Sequence, residues 1–276
     1  MCESARYAAA PSPSSRQPRY DHPLGTGLSV PLTTHPRPAP DRYRHLDKDA
    51  YDAVVVGAGT GGLTAAALLA HRGCSVLLLD QHYVAGGNAT VFRRPGYEFD
   101  IGLHYIGDCG PGGGIPRVLR ALGIEDVQFL EMDPEGFETY CFPDFGFRVP
   151  RGLEPFRARL LAGFPEEQAA IDRYLRLLQE VESLGLHVRP LGGLHGLQRA
   201  PLVARFATAT MAEFLDTCTR NEKLRAVIAG QQSNYGEPPS RFALLAHAVM
   251  VVHYNLRGAY YPKGGGQVIS DRKSVV

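Results

Sequence analysis

The chain has 276 residues, of which 44% are hydrophobic and 21% are charged, and its formal net charge is +1. This composition is typical of a globular protein of one or two domains, and the charge balance argues against a basic nucleic-acid-binding protein. The five cysteines are dispersed and include no C-x-x-C pair. They predict free thiols in a reducing compartment rather than a disulfide framework or a structural zinc site.

Residues 1–48 differ in composition from the rest of the chain. Eight prolines lie between Pro11 and Pro40, and the apolar residues follow neither a helix nor a strand period. Such a segment buries too little apolar surface to offset its loss of conformational entropy, so it predicts a disordered extension. It lacks the continuous apolar stretch of a secretory signal, and we therefore expect a protein that is not secreted. The alternative for this segment is an organelle transit peptide.

An uncharged run of eighteen residues follows at 53–70, with the sequence AVVVGAGTGGLTAAALLA. Its length would suit a membrane-spanning helix, but its glycines favour another structure. The β-branched run at 53–56 predicts a strand buried on both faces, the glycines predict a turn, 60–72 predicts a helix, and 76–79 predicts a second strand. Strand, turn, helix and strand in this order form the unit that binds a dinucleotide.

Four positions in this unit have the residue types that a dinucleotide site requires. Gly57, Gly59 and Gly62 form a G-x-G-x-x-G motif. The first glycine allows a tight turn, the second lets the backbone approach a pyrophosphate, and the third lets the helix lie against the strand. The helix N-terminus offers N–H groups to the phosphates. Asp80 is placed to accept a hydrogen bond from a ribose hydroxyl. The motif alone does not distinguish FAD from NAD.

A second glycine pair, Gly86 and Gly87, follows the second strand with little room for another helix, and GYEFDIGLHYIG follows at 96–107. A third segment, GAYYPKGGG, lies at 258–266. With these motifs in this order, the chain resembles the FAD-dependent oxidoreductases related to phytoene desaturase, carotenoid isomerase and all-trans-retinol 13,14-reductase. The resemblance covers nearly everything after the extension.

The resemblance implies an FAD site in which both glycine segments lie along the diphosphate, the acid holds the adenosine ribose, and the FDIGLHY segment runs toward the isoalloxazine ring. The cofactor-binding residues carried over in this way are Gly57, Gly59, Gly62, Asp80, Gly86, Gly87, Asp100 and Gly102. The candidate catalytic residues are His104 and Tyr105, which would face the flavin or the substrate. Their alternative role is that of a packed, hydrogen-bonded pair in a strand or loop.

The predicted fold class is α/β, with an incomplete Rossmann-like FAD-binding domain and an inserted mixed α+β substrate domain. After the extension we expect the N-terminal part of the FAD domain at 49–110, the substrate domain at 111–256, and the return to the FAD domain at 257–270. The last six residues, DRKSVV at 271–276, are what GAT CGG AAG AGC GTC GTG encodes, which is part of a common sequencing adapter. We expect this tail to be non-native.

Local signals in the substrate domain predict its secondary structure. Turn residues indicate short antiparallel strands over 127–149. An amphipathic helix should begin at Pro165 and end at Gly185. Thr210 and Glu213 are three residues apart and form a capping box at the start of a helix. We also expect a helix over 241–254, with Ser240 as its N-cap residue.

We expect no metal site and no second nucleotide site. His247 and His253 are six residues apart, so they would not share one face of a helix. The glycines at 112–114 follow no convincing strand and are expected to give a flexible start to a helix.

The sequence therefore predicts an FAD-dependent oxidoreductase that acts on carbon–carbon double bonds of a carotenoid- or retinoid-type isoprenoid by hydride transfer at the flavin. The alternatives are an FAD amine oxidase and a non-enzymatic lipid-binding protein of the same fold. The expected partner is a lipophilic small molecule, with peripheral membrane contact and no nucleic acid, and a nicotinamide electron donor is compatible with the motifs. We expect a cytoplasmic or membrane-peripheral location, or an organelle if the extension is a transit peptide.

Overall fold

In a computed structural model, residues 6–9, 50–185 and 193–271 are described, and the side chains are described for 50–185 and 196–271. These residues form two compact units. The first unit consists of Met1–His104, Val118–Val127 and Pro262–Val276, and the second unit consists of Tyr105–Arg117 and Gln128–Tyr261, as far as each range is described.

The first unit is built around a small parallel sheet. Its elements are β1 (Arg6–Ala9), β2 (Ala53–Val56), α1 (Thr60–His71), β3 (Val76–Asp80), β4 (Val91–Arg94) and β5 (Tyr97–Asp100). Strand β3 lies between β1 and β2 and is parallel to both, while β4 and β5 form an antiparallel hairpin. The predicted order of strand, turn, helix and strand is confirmed.

Strand β2 differs from the prediction in its burial. Val55 packs into the core with Ala66, Ala70 and Leu78, which belong to α1 and β3. The neighbouring side chains of Val54 and Val56 are 57% and 80% exposed. The expectation of a strand buried on both faces was therefore wrong for the described residues, because β2 is at the edge of the sheet and α1 covers one face.

The predicted extension also contains a structured segment. Arg6–Ala9 forms β1, whose register places Arg6 beside Leu77 and Ala9 beside Asp80. The prediction of disorder was thus wrong for these four residues. The edge of β3 presents unpaired backbone N–H and C=O groups, so even a short segment of modest hydrophobicity can add a strand there. The rest of 1–48 lies outside the described residues, as does 272–276 of the predicted non-native tail.

The boundary between the units falls earlier than the predicted end of the FAD domain at 110. Strand β6 (Ile106–Gly107) pairs antiparallel with β10 (Ala259–Pro262) in the sheet order β6-β10-β7, where β7 is Phe129–Glu131. The chain therefore enters the second unit at Tyr105. Helix α2 (Gly114–Ala121) begins in the second unit, but residues 118–127 belong to the first unit. The predicted substrate domain at 111–256 did not include this return of the chain to the first unit.

The second unit surrounds an apolar core. Its remaining elements are β8 (Glu138–Cys141), β9 (Gly146–Val149), α3 (Leu153–Gly163), α4 (Gln168–Ser183), α5 (Pro201–Arg205), α6 (Met211–Asp216), α7 (Glu222–Ile228) and α8 (Leu244–Arg257). Strands β8 and β9 are antiparallel, which confirms the expected small strands. The predicted amphipathic helix is also confirmed, with a short 3-10 turn at Pro165–Glu167 before α4 and a left-handed Gly185 after it.

The N-terminal ends of α6 and α8 lie side by side. Thr210 and Glu213 form the predicted capping box at α6. Ala243 pairs with Thr210 in a short antiparallel bridge, and Leu244 N–H donates to Ala209 O at 2.9 Å. Helix α8 therefore begins after Ala243, and the expected helix at 241–254 with a Ser240 cap was shifted by three residues. This pairing between distant segments is not visible in local capping signals.

A fully buried histidine lies in the core of the second unit. His247 on α8 contacts Tyr174 Oη at 3.1 Å through Nε2 and Tyr235 Oη at 3.0 Å through Nδ1. Burial lowers the pKa of His247 to about 4, although a hydrogen bond to the Ile228 backbone opposes this. The imidazole is therefore neutral in the folded protein at neutral pH.

We expect acid to destabilise the second unit through His247. The unfolded imidazole binds a proton near pH 6.5, whereas the folded imidazole does so near pH 4. The stabilisation is complete above the unfolded pKa and is lost as the pH falls toward the folded pKa, by about 3 kcal/mol. Urea unfolding at about pH 7 and about pH 4.5 measures this loss. His247→Gln should lose less, and an equal loss in both proteins would contradict the assignment.

Candidate functional site

The first glycine turn connects β2 to α1 with very little space. Gly57 has φ of +101° and donates its N–H to Leu79 O at 2.6 Å. A methyl group added at Gly62 would overlap the carbonyl oxygen of Gly57. These two positions have the geometry that the predicted tight turn and close helix packing require, because the positive φ of Gly57 favours glycine and a Cβ atom at Gly62 would collide.

The N-terminus of α1 is open beside this turn. Gly59 is the N-cap residue, no side chain caps the helix, and its first turn contains no acidic residue. The first intrahelical bond runs from Leu63 N–H to Gly59 O at 2.9 Å. A methyl group added at Gly61 would meet no atom within 4 Å. This end therefore combines available N–H groups with the positive end of the helix dipole, which suits a phosphate.

The second glycine pair lies against the first turn, backbone to backbone. Gly86 N–H donates to Ala58 O at 2.7 Å, and Gly59 and Gly86 form a parallel bridge. Gly86 and Gly87 have φ of +126° and +58°. A methyl group added at Gly87 would lie 3.0 Å from the Gly59 Cα atom. The structure thus brings together the two segments that were predicted to lie along one diphosphate.

Asp80 ends β3 and joins it to the first turn. Its Oδ2 accepts from Ala58 N–H at 2.5 Å, and its Oδ1 accepts from His82 N–H at 2.7 Å. An ionised carboxylate has about four acceptor sites, so two backbone bonds leave acceptor capacity for hydroxyl groups. Asp80 lies at the carboxyl end of parallel strands, where nucleotides bind in this type of sheet.

Asp100 and Gly102 have partners inside the first unit. Asp100 Oδ1 accepts from Gly266 N–H at 2.8 Å, which joins β5 to the returning glycine segment. Gly102 N–H donates to Asn88 O at 3.1 Å, and an added methyl group would lie 3.1 Å from the Asn88 Cβ atom. These contacts give both residues a structural role in holding the loop that follows the second glycine pair.

The two candidate catalytic residues are separated by the boundary between the units. His104 is exposed and ends the described N-terminal part of the first unit, whereas Tyr105 is half-buried and begins the second. The Tyr105 ring packs edge-on against Phe137 and Tyr254, with centroid distances of 5.8 and 4.7 Å. Its hydroxyl accepts from Asn234 Nδ2 at 3.2 Å. Tyr105 is thus packed and hydrogen-bonded, and the catalytic role of His104 and Tyr105 stays a prediction.

Tyr105 belongs to a polar cluster that sequence reasoning missed. Glu138 on β8 accepts from the Tyr140 hydroxyl at 2.9 Å and lies close enough to Tyr105 to raise the pKa of that phenol. Burial first, and then the charge of Glu138, raise the pKa of the Tyr105 and Tyr140 phenols well above their usual value. Glu138 and Asn234 are almost one hundred positions apart along the chain. No local pattern joins them, so only the folded second unit reveals the cluster.

The Tyr140 ring rests directly on the backbone. A methyl group added at Gly230 would overlap this ring. Gly230 begins the 3-10 turn at Gly230–Asn234, which also carries Asn234. One short turn thus positions both the ring of Tyr140 and the amide that contacts Tyr105.

The glycines at 112–114 have a different environment from the first glycine turn. A short strand, β6, does precede them, which the sequence analysis did not expect. However, Asp108 Oδ2 accepts from Gly114 N–H at 2.8 Å at the start of α2. A carboxylate at this position repels a phosphate, so the arrangement is not that of a second diphosphate site.

Among residues 50–185 and 193–271, no group of three or more His, Cys, Asp and Glu side chains could hold a metal ion. In the same part of the chain, no helix is long and apolar enough to cross a membrane. Four cysteines are free thiols: Cys74, Cys109, Cys141 and Cys218. Cys2 lies outside the described residues.

Comparison with known proteins agrees with this geometry. Residues 55–122 match the NAD(P)-binding Rossmann-like domain family. All-trans-retinol 13,14-reductase of Homo sapiens is 35% identical over 242 residues, which cover 79% of this chain and 38% of that protein. Prolycopene isomerase 2 of an Oncidium hybrid cultivar is 32% identical over 129 residues, which cover 46% of this chain and 22% of that protein. The chain thus spans less than half the length of these relatives.

Among solved structures, a putrescine oxidase variant superimposes with a TM-score of 0.55 and 21% identity over 80% of this chain and 47% of the oxidase. This likeness shows the fold. The fold defines a Rossmann-like protein with a dinucleotide-binding unit, as predicted. The predicted relationship is also confirmed, since the chain is a homologue of the all-trans-retinol 13,14-reductases and prolycopene isomerases.

We expect Gly62→Ala to destabilise the first unit by about 1 to 3 kcal/mol, because its methyl group would overlap the Gly57 carbonyl oxygen. Gly61→Ala is the matched control in the same helix, where the added methyl group meets open space. That variant should be neutral or more stable by up to about 1 kcal/mol, because alanine favours a helix over glycine. Urea unfolding of both proteins measures the difference. Equal stability of the two variants would contradict the close packing.

Proposed function

We propose that the protein is an FAD-dependent oxidoreductase that acts on carbon–carbon double bonds of a carotenoid- or retinoid-type isoprenoid. The observation that carries the proposal is the paired glycine backbone, in which Gly86 N–H binds Ala58 O beside the open N-terminus of α1. A plain nicotinamide domain needs only the first of these glycine segments. The second segment supports the longer diphosphate contact expected for FAD.

The residues of the first unit fit this cofactor. Gly57, Gly59 and Gly62 with Gly86 and Gly87 would line the diphosphate, and Asp80 would accept from the adenosine ribose. Asp100 and Gly102 would hold the segment that leads toward the flavin ring. When bound, FAD supplies hydride acceptance and donation. The protein would orient the substrate, exclude water and hold the proton that accompanies the hydride.

The substrate class rests on the sequence relatives. Their names refer to retinol and to prolycopene, which are lipophilic isoprenoids. We therefore propose a lipophilic small-molecule substrate and peripheral membrane contact, in a cytoplasmic or organellar location. The isomerase relative is named as chloroplastic. A nicotinamide electron donor is compatible with this proposal, although its site is not assigned.

An FAD amine oxidase is the second candidate, and the solved putrescine oxidase structure favours it through the shared fold. The 35% identity to a retinol reductase over most of the chain outweighs a structural likeness at 21% identity. A lipid-binding protein without redox turnover is the third candidate. These three differ in flavin content and in the compound that changes the flavin spectrum.

Expression of the protein and reconstitution with FAD test the proposal. We expect bound flavin with its visible absorbance, loss of that absorbance when an isoprenoid with a saturated bond gives a hydride to oxidised flavin, or its return when a desaturated isoprenoid takes a hydride from reduced flavin, and no response to amines. A response only to amines would favour the oxidase. Protein that binds the isoprenoid but retains no flavin after reconstitution would refute the proposed function and favour the lipid-binding alternative.

We expect Asp80→Asn to lower the flavin content, because the amide replaces the carboxylate that would accept from the ribose. Asp52→Asn is a matched control, since Asp52 Oδ2 also accepts a backbone N–H, that of Ser75, at 2.7 Å. Asp52 lies at the opposite end of the same pair of strands, so both variants should lose about 1 kcal/mol of stability, but only Asp80→Asn should lose flavin. Equal flavin content in the two variants would contradict the assignment of Asp80.

A further inference from the structure

The hairpin of β4 and β5 in the first unit has two different faces. Its register pairs Phe92 with Phe99 and Arg94 with Tyr97. Side chains alternate along a strand, and residues that lie opposite each other in an antiparallel ladder share a face. These four side chains therefore lie on one face of the hairpin, which we call the aromatic face.

The opposite face of the hairpin contacts the returning glycine segment. Asp100 Oδ1 accepts from Gly266 N–H at 2.8 Å. A methyl group added at Gly265 would lie 3.3 Å from a carboxylate oxygen of Glu98 and 3.7 Å from a methyl group of Val91. The hairpin is therefore fixed within the first unit, and both of its acidic side chains belong to the face opposite the aromatic one.

The aromatic face is exposed. Tyr97 is 69% exposed, Phe99 is 45% exposed, and Ile101, directly after β5, is 50% exposed. The Phe99 ring stacks on Phe92 and Tyr97, with centroid distances of 5.0 and 6.1 Å. The Arg94 guanidinium lies 5.2 Å from the centroid of the Phe92 ring. Large apolar side chains that are grouped and exposed in this way mark an interaction surface.

The composition of the aromatic face fits the boundary between the hydrocarbon and the headgroups of a membrane. Tyrosine combines an apolar ring with a polar hydroxyl group, which suits this boundary. Arginine can bury its methylene groups while its guanidinium contacts an anionic headgroup. Within this hairpin, the aromatic face contains Arg94 and no carboxylate, so its charge is complementary to anionic lipid.

The size of the aromatic face argues against a protein partner. A stable protein–protein interface takes about 800 Å² and about 20 to 30 residues from each partner, whereas this face consists of the two pairs of side chains named above. A membrane needs no complementary surface, so a few aromatic side chains beside a cation can dock on it. We therefore propose that the aromatic face docks on a membrane that contains anionic lipids. This inference rests on the proposed function, because a lipophilic substrate dissolves in membranes.

Tryptophan fluorescence tests the docking, because the chain contains no tryptophan. Tyr97→Trp places a single reporter on the aromatic face. Leu130→Trp is the control, since Leu130 on β7 of the second unit is 53% exposed. Vesicles of phosphatidylcholine and phosphatidylserine should shift the Tyr97→Trp emission to shorter wavelength, and brominated lipid should quench it. Leu130→Trp should show neither change. An equal response of the two reporters, or no response of either, would overturn the docking.

Cosedimentation with the same vesicles measures the affinity. The double variant Tyr97→Ser, Phe99→Ser should bind at least about 10-fold more weakly, because two apolar contacts are lost. Arg94→Gln should weaken binding about 5-fold on anionic vesicles and little on pure phosphatidylcholine, because it removes the attraction to anionic lipid. Leu130→Ser should bind like the parent protein. Parental affinity of the double variant would contradict the docking.

Association of two copies through the aromatic face is the competing outcome. Light scattering without lipid distinguishes it. A dimer in the parent protein that becomes a monomer in the double variant Tyr97→Ser, Phe99→Ser would overturn the membrane proposal. A monomer in both proteins, together with the loss of vesicle binding in the double variant, supports it.

The two proposals fail in different ways. The double variant should keep its flavin content and its turnover of an isoprenoid in detergent, but lose turnover of the same isoprenoid in vesicles. If the parent protein turns over the isoprenoid in detergent and binds no vesicles, the docking is wrong and the proposed function stands. If it binds vesicles through the aromatic face but retains no flavin, the proposed function is wrong and the docking stands.

Discussion

The first unit depends on the close approach of backbone segments that carry no side chains between them. Gly62 brings the first turn of α1 against the carbonyl of Gly57, and the N–H of Gly86 binds the carbonyl of Ala58. A Cβ atom at Gly62 or Gly87 would force these segments apart. Diphosphate binding needs the same exposed backbone. Close packing of the segments and contact with a diphosphate therefore both favour glycine at these positions.

Carboxylates and one amide hold the segments around this contact. Asp80 joins the end of β3 to the first turn, and Asp100 joins β5 to Gly266, a residue 166 positions later in the chain. Gln267 then binds Ala85 O through Nε2 and Val91 N–H through Oε1. The returning segment thus completes the loop after the second glycine pair. A charge-assisted bond to a backbone N–H is stronger than a neutral one, which makes acids effective at these ends.

In the second unit, polar side chains lie among aromatic rings. Glu138 accepts a hydrogen bond from the Tyr140 phenol, and His247 is neutral between Tyr174 and Tyr235. A half-buried or buried polar group is tolerated when its partners satisfy it, and the partners then fix its direction.

The sequence by itself determined the elements whose signals are local. It predicted β2, α1 and β3 from hydrophobic period and glycine spacing, α4 from its apolar face, and the Thr210–Glu213 cap from two residues three apart. The first glycine motif and Asp80 predicted the dinucleotide site, and family resemblance added the second glycine pair and the choice of FAD. These features depend on neighbours within a few turns of chain, so a sequence displays them directly.

Only the tertiary structure decided the features that join distant segments. It added β1 to the sheet, exposed one face of β2, shifted the start of α8 and moved Tyr105 into the second unit. It also assembled Tyr105, Glu138, Tyr140 and Asn234 from three separate segments. Strand pairing and side-chain clusters depend on which distant backbone edges and surfaces meet, and the free energy of those contacts leaves no periodic pattern along the chain.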